Sequence, residues 1–374
     1  MTLTKIDYLI ITFGSIAYIG FGVFNNVGGS MMAYAMPAFP AWLLYGTTIM
    51  YTLGMFILCI FVKDNPIERR HWTWANQKHY WKLAVLTALN GLFFQFSAPW
   101  VDGAVSQVLA NMAIIQIPIF ERILIKERAK ERTSKWWVGM IVIFIGIGLG
   151  MVPAIKKIIL DHSRTPPTEQ SDKWYWILAF IISTTFTAWE QTAQDQAFHD
   201  KSAKVTEVSC LAWYNLYSIP MYLITIPLEA VPILNGTLEG MSIKDAFDNQ
   251  YGAFRCFFGH PLQSDIASGA CQSGATLWPI IFTIGYIGFF CVGAFLINRF
   301  GVLFPNIVGA NVELVAAITF MIPAIVGSNV VPFSVWPLIG CAIVVVGIIL
   351  KGAPTNKKDP DRTEQPTEET PLVN

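Results

Sequence analysis

Long apolar runs, broken by short polar or Gly- and Pro-bearing connections, fill the chain from about residue 8 to residue 350. Ten can be read, at about 8–27, 41–62, 82–101, 104–121, 136–155, 174–198, 206–233, 277–298, 303–327 and 331–350. Roughly 20 apolar residues at about 1.5 Å rise cross the hydrocarbon of a bilayer, so each run predicts a membrane-spanning helix. Only Asp102 and Gly103 separate the third from the fourth, which predicts a tight antiparallel pair. The ninth run carries one carboxylate, Glu313, near its middle. A carboxylate at that depth costs at least about 2.5 kcal/mol on insertion scales, so it faces protein or water rather than lipid. A functional site is the first reading of it, and a structural tie to a neighbouring helix is the plain alternative.

Composition agrees. Only 13% of the 374 residues are charged, about half the roughly 25% of soluble domains. The net charge is zero, but the positions of the charges inform. With both termini in the cytosol, the cytosolic segments hold nineteen Lys and Arg, including the run from Arg122 to Lys135. The opposite side holds six: Lys156, Lys157, Arg164, Lys173, Lys244 and Arg255. Such a bias orients membrane proteins and fits an even number of spans. Lys5 and Asp7 alone precede the first run, with no small-residue cleavage site, so that run is expected to stay in the mature chain.

The two halves look related. Ile117-Pro118 in the fourth run recurs as Ile322-Pro323 in the ninth, and Gly139/Gly146 in the fifth as Gly340/Gly347 in the tenth. Five is odd, so the second copy would be inverted in the membrane. The expected organisation is a first five-helix repeat over 1–155, a second over 156–351, and a disordered polar tail over 352–374. The end of that tail loosely resembles an acidic sorting signal.

The loop 234–276 breaks the pattern of short connections. It opens with the sequon Asn235-Gly236-Thr237, a glycosylation candidate. In Ile243–Phe258, apolar residues Ile243, Phe247, Tyr251, Phe254 and Phe258 recur at helical spacing, which predicts a helix lying on the membrane surface. Cys256 and Cys271 share this loop on the non-cytosolic side, where disulfides are permitted, and they are expected to pair.

Enzymatic constellations are absent from the sequence. The five histidines fall in loops or at span ends, and there is no GxSxG, HExxH or P-loop pattern. No catalytic residue, metal site, cofactor or nucleic-acid surface is expected. Polar side chains inside the runs remain: Asn25, Asn26, Asn90, Gln95, Gln107, Asn111, Gln116, Tyr214, Asn215, Asn311 and Glu313 among them. In the sixth run Thr187, Glu190, Gln191 and Gln194 share a helix face. A face that polar must line a cavity or bind neighbouring helices. The cavity so read contains no Lys or Arg, which favours cationic, neutral or zwitterionic solutes over anions. Glu190 and Glu313 can exchange protons and so couple solute movement to a proton gradient.

Ile226-Pro227-Leu228 with Pro232, the segment Gly252–Gly259 with Cys271 and Trp278, Gln107 through Pro118, and Gly301–Ala317 together resemble the chloroquine-resistance-transporter-like family of the drug/metabolite transporter superfamily. The resemblance covers most of 80–351. It implies an all-α integral membrane fold of ten helices in two inverted five-helix repeats. Amphipathic surface helices would occupy the loop between the seventh and eighth. It implies carriage of amino acids, small peptides, thiols or cationic drugs, commonly proton-driven, in an acidic-organelle or plastid membrane. It also implies a cavity that includes Asn26, Gln107, Asn111, Glu190, Gln194, Tyr214 and Glu313. Two loop cysteines stand where better-known members have four, and an N-terminal extension of some members is missing. The expectation is a proton-coupled secondary transporter of a vacuolar or endolysosomal membrane, whose partners are a small solute, protons and lipid. A nucleotide-sugar or sugar-phosphate carrier is the rival within the superfamily, and a non-transporting receptor or scaffold the rival outside it.

Overall fold

The computed structural model describes residues 5–62, 66–101, 103–125, 134–152, 156, 174–200, 202–203, 205–231, 242–267, 269–327 and 334–351. Asn235, most of the basic run after Arg122, and the tail 352–374 lie outside them. The described elements are helical. They are α1 (Lys5–Ala35), α2 (Pro40–Phe61), α3 (Trp74–Ser97), α4 (Gly103–Ala110), α5 (Met112–Leu124), α6 (Ser134–Gly150) and α7 (Trp174–His199). There follow α8 (Glu207–Leu223), α9 (Ile243–Phe257), α10 (Gln263–Ala267), α11 (Leu277–Phe300), α12 (Leu303–Thr319), α13 (Pro323–Val326) and α14 (Val335–Lys351). Four stretches are long and apolar enough to cross a membrane: Leu9–Ala35, Pro40–Phe61, Val105–Leu124 and Leu277–Phe300. Ser134–Gly150, Phe304–Thr319 and Val335–Leu350 are apolar but shorter. Large apolar side chains such as Phe13, Ile60, Phe144 and Ile349 face outward, as lipid-facing residues do. The chain is an integral membrane protein.

Several boundaries differ from the sequence reading, each for a local reason. The fourth run is not one continuous helix. At Asn111 the backbone N–H bonds to Val108 O (3.2 Å), and the side-chain amide takes Gln107 O (3.2 Å), the carbonyl that a regular turn would give to the backbone. The ninth run stops at Thr319. Ile322 is extended (φ −102°, ψ 104°), as a residue before proline is, and Pro323 opens the one-turn α13. The seventh ends at Leu223, and Ile226–Ala230 follows as a 3-10 turn. In the other direction α3 starts early, at Trp74, because Thr73 O accepts from the Asn76 and Gln77 N–H groups.

Helix pairing is specific. α1 packs on α11 and α12, α3 on α7 and α8, α2 on α8, α5 on α7, and α6 on α14. Glycines set the closest approaches. A Cβ on Gly146 would lie 2.7 Å from Gly340 O, and one on Gly347 would lie 2.8 Å from Gly139 O. Small residues at such crossings let backbones touch.

The loop between α8 and α11 forms a cap. Cys256 and Cys271 are joined by a disulfide, with Cα atoms 5.9 Å apart. Both lie in a buried cluster with Met32, Met36, Phe39 and Trp42 at the α1–α2 turn. Gln272 N–H donates to Ala35 O (2.8 Å). Ser242 caps α9 reciprocally with Asp245. That exchange of hydrogen bonds holds the Asp245 carboxyl below its usual range. The apolar face of α9 (Ile243, Phe247, Tyr251, Phe254) is exposed, which suits a helix lying at a membrane surface.

Beneath the cap sits a wholly buried carboxylate, Glu229. It accepts from Ala41 N–H at the start of α2 (2.8 Å) and from the side-chain amides of Asn249 (3.3 Å) and Gln250 (2.7 Å) of α9. Negative charge at a helix N-terminus meets the positive end of its dipole, so one side chain both caps α2 and seats α9.

Candidate functional site

A cavity of about 210 Å³ lies among α1, α2, α3, α4–α5, α7, α8, α11 and α12. Its walls use residues 43–51 of α2, 87–95 of α3, 180–191 of α7 and 282–290 of α11. Each stretch is centred in the half of its helix nearer the capped end of the bundle, and those of α7 and α11 run past the middle. The other half is filled by a buried apolar cluster that includes Met55, Cys59, Tyr80, Leu83, Leu211 and Trp213. The molecule therefore holds a polar-walled void in one half and a solid plug in the other.

One carboxylate lines the void. Glu313, on α12, accepts from Asn26 Nδ2 (3.0 Å), and the same nitrogen donates to Gln107 Oε1 (3.1 Å). Asn26 Oδ1 in turn accepts from Asn25 Nδ2 (3.1 Å). Asn111 completes the group through its bond to Gln107 O. One network thus ties α1, α4 and α12 together around a single carboxyl group. Among the described lining residues there is no Lys, Arg or His.

Aromatic rings supply further parts of the wall. Tyr51 stacks on Tyr286 with centroids 4.0 Å apart, and Tyr18 on Phe289 at 4.3 Å. The Tyr51 hydroxyl meets Thr48 Oγ1 (2.6 Å), and the Tyr286 hydroxyl donates to Asn215 Oδ1 (3.3 Å). Amide and hydroxyl pairs join the remaining helices. Gln116 Nε2 donates to Thr185 Oγ1 (2.9 Å), and Asn306 Nδ2 to Gln191 Oε1 (2.9 Å). A pocket with one anionic pole, an aromatic wall and scattered amides suits a small organic cation or zwitterion with an apolar body.

The seven residues expected at the site fall into three groups. Asn26, Asn111 and Glu313 border the cavity. Gln107 stands one hydrogen bond behind them. Glu190, Tyr214 and Gln194 are buried and do not border it. Glu190 and Tyr214 are nevertheless together: the hydroxyls of Thr87 and Tyr214 face the Glu190 carboxylate. Through Thr87, which does border the void, Glu190 is one side chain away from it. Gln194 joins neither group, and its amide nitrogen is buried without a hydrogen-bond partner. The sequence reading missed the tyrosines Tyr18, Tyr51 and Tyr286, which in an apolar run look like any lipid-facing ring. Among the described residues no three His, Cys, Asp or Glu side chains are grouped to hold a metal.

At the plugged end a second polar cluster joins α3 to the residue after α7. Asp200 Oδ2 accepts from His79 Nε2 (2.8 Å) and Lys78 Nζ (3.2 Å), and Oδ1 accepts from Ser202 N (2.9 Å) and Oγ (2.6 Å). These bonds, led by the Ser202 hydroxyl, hold the Asp200 carboxyl well below the usual carboxylate range. One helical turn further in, Lys82 Nζ donates to Gln196 Oε1 (2.9 Å).

Comparison with known proteins adds the family. No curated protein matches the chain, whereas 24 solved chains do. One, described only as "Crystal structure of protein", is 12% identical and covers 93% of this chain and 99% of its own, with a TM-score of 0.51. At that identity the likeness shows the fold alone. The profile described as "CRT-like, chloroquine-resistance transporter-like" matches residues 10–351. With nearly the whole helical bundle inside that match, the chain belongs to the CRT-like family of membrane transporters.

Proposed function

We infer that the protein is a proton-coupled secondary transporter of small cationic or zwitterionic organic solutes, such as amino acids, small peptides, thiols and cationic drugs. One observation carries the reading: the cavity has a single carboxylate, Glu313, and no cationic side chain among its described lining residues. An anion entering it would meet repulsion at the one charged pole and no partner elsewhere, whereas a protonated amine would meet a tethered acceptor. Glu313 is the candidate for carrying a proton in exchange for solute, and Glu190, behind Thr87, for relaying one.

Ten crossing segments in two inverted repeats fit the pairing. The segments are α1, α2, α3, α4–α5, α6, α7, α8, α11, α12 and α14. Advancing each by five carries α1 against α11 onto α7 against α3, and α1 against α12 onto α7 against α5. The pairs α2–α8 and α6–α14 map onto themselves. The reciprocal contacts of Gly146 with Gly340 and of Gly139 with Gly347 obey the same exchange. With the termini cytosolic, the capped end faces the lumen of a vacuole or endolysosome. The cavity then lies nearer the side from which solute is taken.

The test is uptake of radiolabelled amino acids, a tripeptide and a lipophilic cation into proteoliposomes, with and without an imposed pH gradient. Gradient-driven uptake that Glu313→Gln abolishes supports the assignment. Uptake of none of them, or uptake competed by sugar phosphates, would point to an anion carrier instead.

A further inference from the structure

The same two helices that wall the cavity also close its far end, and this carries an inference about how the pathway opens. α3 gives Thr87 and Asn90 to the void, and α7 gives Thr184 and Thr187. Beyond the void, α3 presents Tyr80 and Leu83, both without exposed surface, and α7 presents the buried Ala193 and Ala197. From Thr87 to His79 is about 12 Å of helix at 1.5 Å per residue. The plug at this point is therefore two turns of apolar side chain, backed by Trp213 and Tyr214 of α8.

At the outer edge of those two turns stand the rungs between α3 and the end of α7. His79 and Lys78 share one oxygen of Asp200, and Lys82 reaches Gln196 a turn inward. On α3 the rungs are three or four residues apart, 78/79 with 82, so they lie on one face of that helix, while on the other side Gln196 is in the last turn of α7 and Asp200 follows its end. At the cavity end the same helices meet through rings, Phe93 on Phe186 and Phe94 on Phe180. Polar rungs differ from ring contacts in one respect that matters for a gate. Charged and amide groups that separate are taken up by water at the bundle end, whereas separated rings expose apolar surface.

We propose that Lys78, His79 and Asp200, with Lys82 and Gln196, form the latch that keeps the plugged end of the transport pathway shut, and that the Tyr80–Trp213 layer is the gate it clamps. Releasing Asp200 lets the ends of α3 and α7 part, and the void then extends through the space Tyr80 and Leu83 fill. The proposal concerns the bundle rather than the cargo. It stands or falls independently of which solute is carried.

Two buried thiols in the plug report on it. Cys59 and Cys210 have no exposed surface and belong to the sealing cluster. Cys341 is equally buried but lies in the α6–α14 seam, away from the latch. Detergent-solubilised protein is treated with N-ethylmaleimide, and modification of each cysteine is followed by peptide mass spectrometry. In Asp200→Ala the modification of Cys59 and Cys210 should quicken on the order of tenfold through local opening, with Cys341 unchanged. His79→Gln retains a side-chain donor towards Asp200 and should keep wild-type rates. Unchanged rates at Cys59 and Cys210 in Asp200→Ala would overturn the latch. A parallel rise at Cys341 would also overturn it, since it would mean a loosened bundle rather than an opened gate.

Discussion

Under the proposed five-segment exchange α1 against α11 and α3 against α7 are counterparts, yet they are built from different material. In the first seam backbones nearly touch. A Cβ on Gly285 would lie 2.4 Å from Asn25 N, and one on Gly28 would lie 2.9 Å from Phe282 N. In the second, side chains intervene throughout: aromatic stacks beside the cavity, then Lys82 to Gln196 and His79 to Asp200. Where backbones meet at these glycines no side chain stands between the helices to rearrange, even though Tyr18 stacks on Phe289 elsewhere in the seam, and the two helices move as one body. Helices held by exchangeable partners can part at one end while staying joined at the other. The contrast assigns rigidity to one side of the cavity and motion to the other.

The strongest way to break it is to add a methyl-bearing side chain to the tight seam. Gly285→Val should cost about 3 kcal/mol through overpacking against backbone that cannot retreat, read as a collapse of monodisperse yield and thermal midpoint in detergent. Gly20→Val, with nothing within 4 Å of its new carbon, should leave both unchanged. If Gly285→Val is tolerated, the seam is looser than the glycines imply.

A smaller effect belongs to the cap, which ties the start of α2 to α9. Glu229→Ala leaves the Ala41 N–H without its acceptor and takes one of two acceptors from the Asn249 and Gln250 amides, which keep Ala38 O and Ala246 O, a loss of about 2 kcal/mol, mostly for the buried N–H left unpaired. Limited proteolysis in the loop before α11 should quicken, while maleimide modification of Cys59 at the plugged end should not.

The smallest effect sharpens the latch through pH. The Asp200 carboxyl is held below its ordinary value, so its contribution is complete above that value, about 3.9 for an unperturbed Asp. It is lost as pH falls below that value towards the folded-state one. The groups facing it are His79, Lys78 and Ser202. The difference in thermal midpoint between wild type and Asp200→Asn should therefore stay constant from pH 8 to pH 5 and shrink below about pH 4. A difference already vanishing at pH 6 would assign the titration to another group.

Much of this was legible in the chain, for reasons specific to lipid. A lone Glu313 or Asn26 inside an apolar run is conspicuous because hydrocarbon offers it no partner, and both line the void. Glycine pairs seven apart in two runs pointed to related halves, and in the structure the two pairs meet in a single seam, α6 on α14. Periodicity was less informative about neighbours. Thr187, Glu190, Gln191 and Gln194 share a face, but that arc meets more than one surface: Thr187 and Gln191 border the cavity while Glu190 turns to Thr87 and Tyr214. Helix ends inside apolar stretches, at Asn111 and before Pro323, follow from backbone chemistry that hydropathy does not register. Glu229 is not singled out by the sequence, because nothing near it names Ala41, 188 residues earlier, as its partner.

That separation has a bearing on biosynthesis. Ribosomes add about 5–20 residues per second, so the N-terminus of α2 waits roughly 10–40 s before the carboxylate that completes it is made. During that interval the helix start must borrow hydrogen bonds from water or from the translocation machinery. The cap that finally covers it can be oxidised at Cys256 and Cys271 only after both have been made. The first helical hairpin to enter the bilayer is thus among the last parts of the protein to reach its final form.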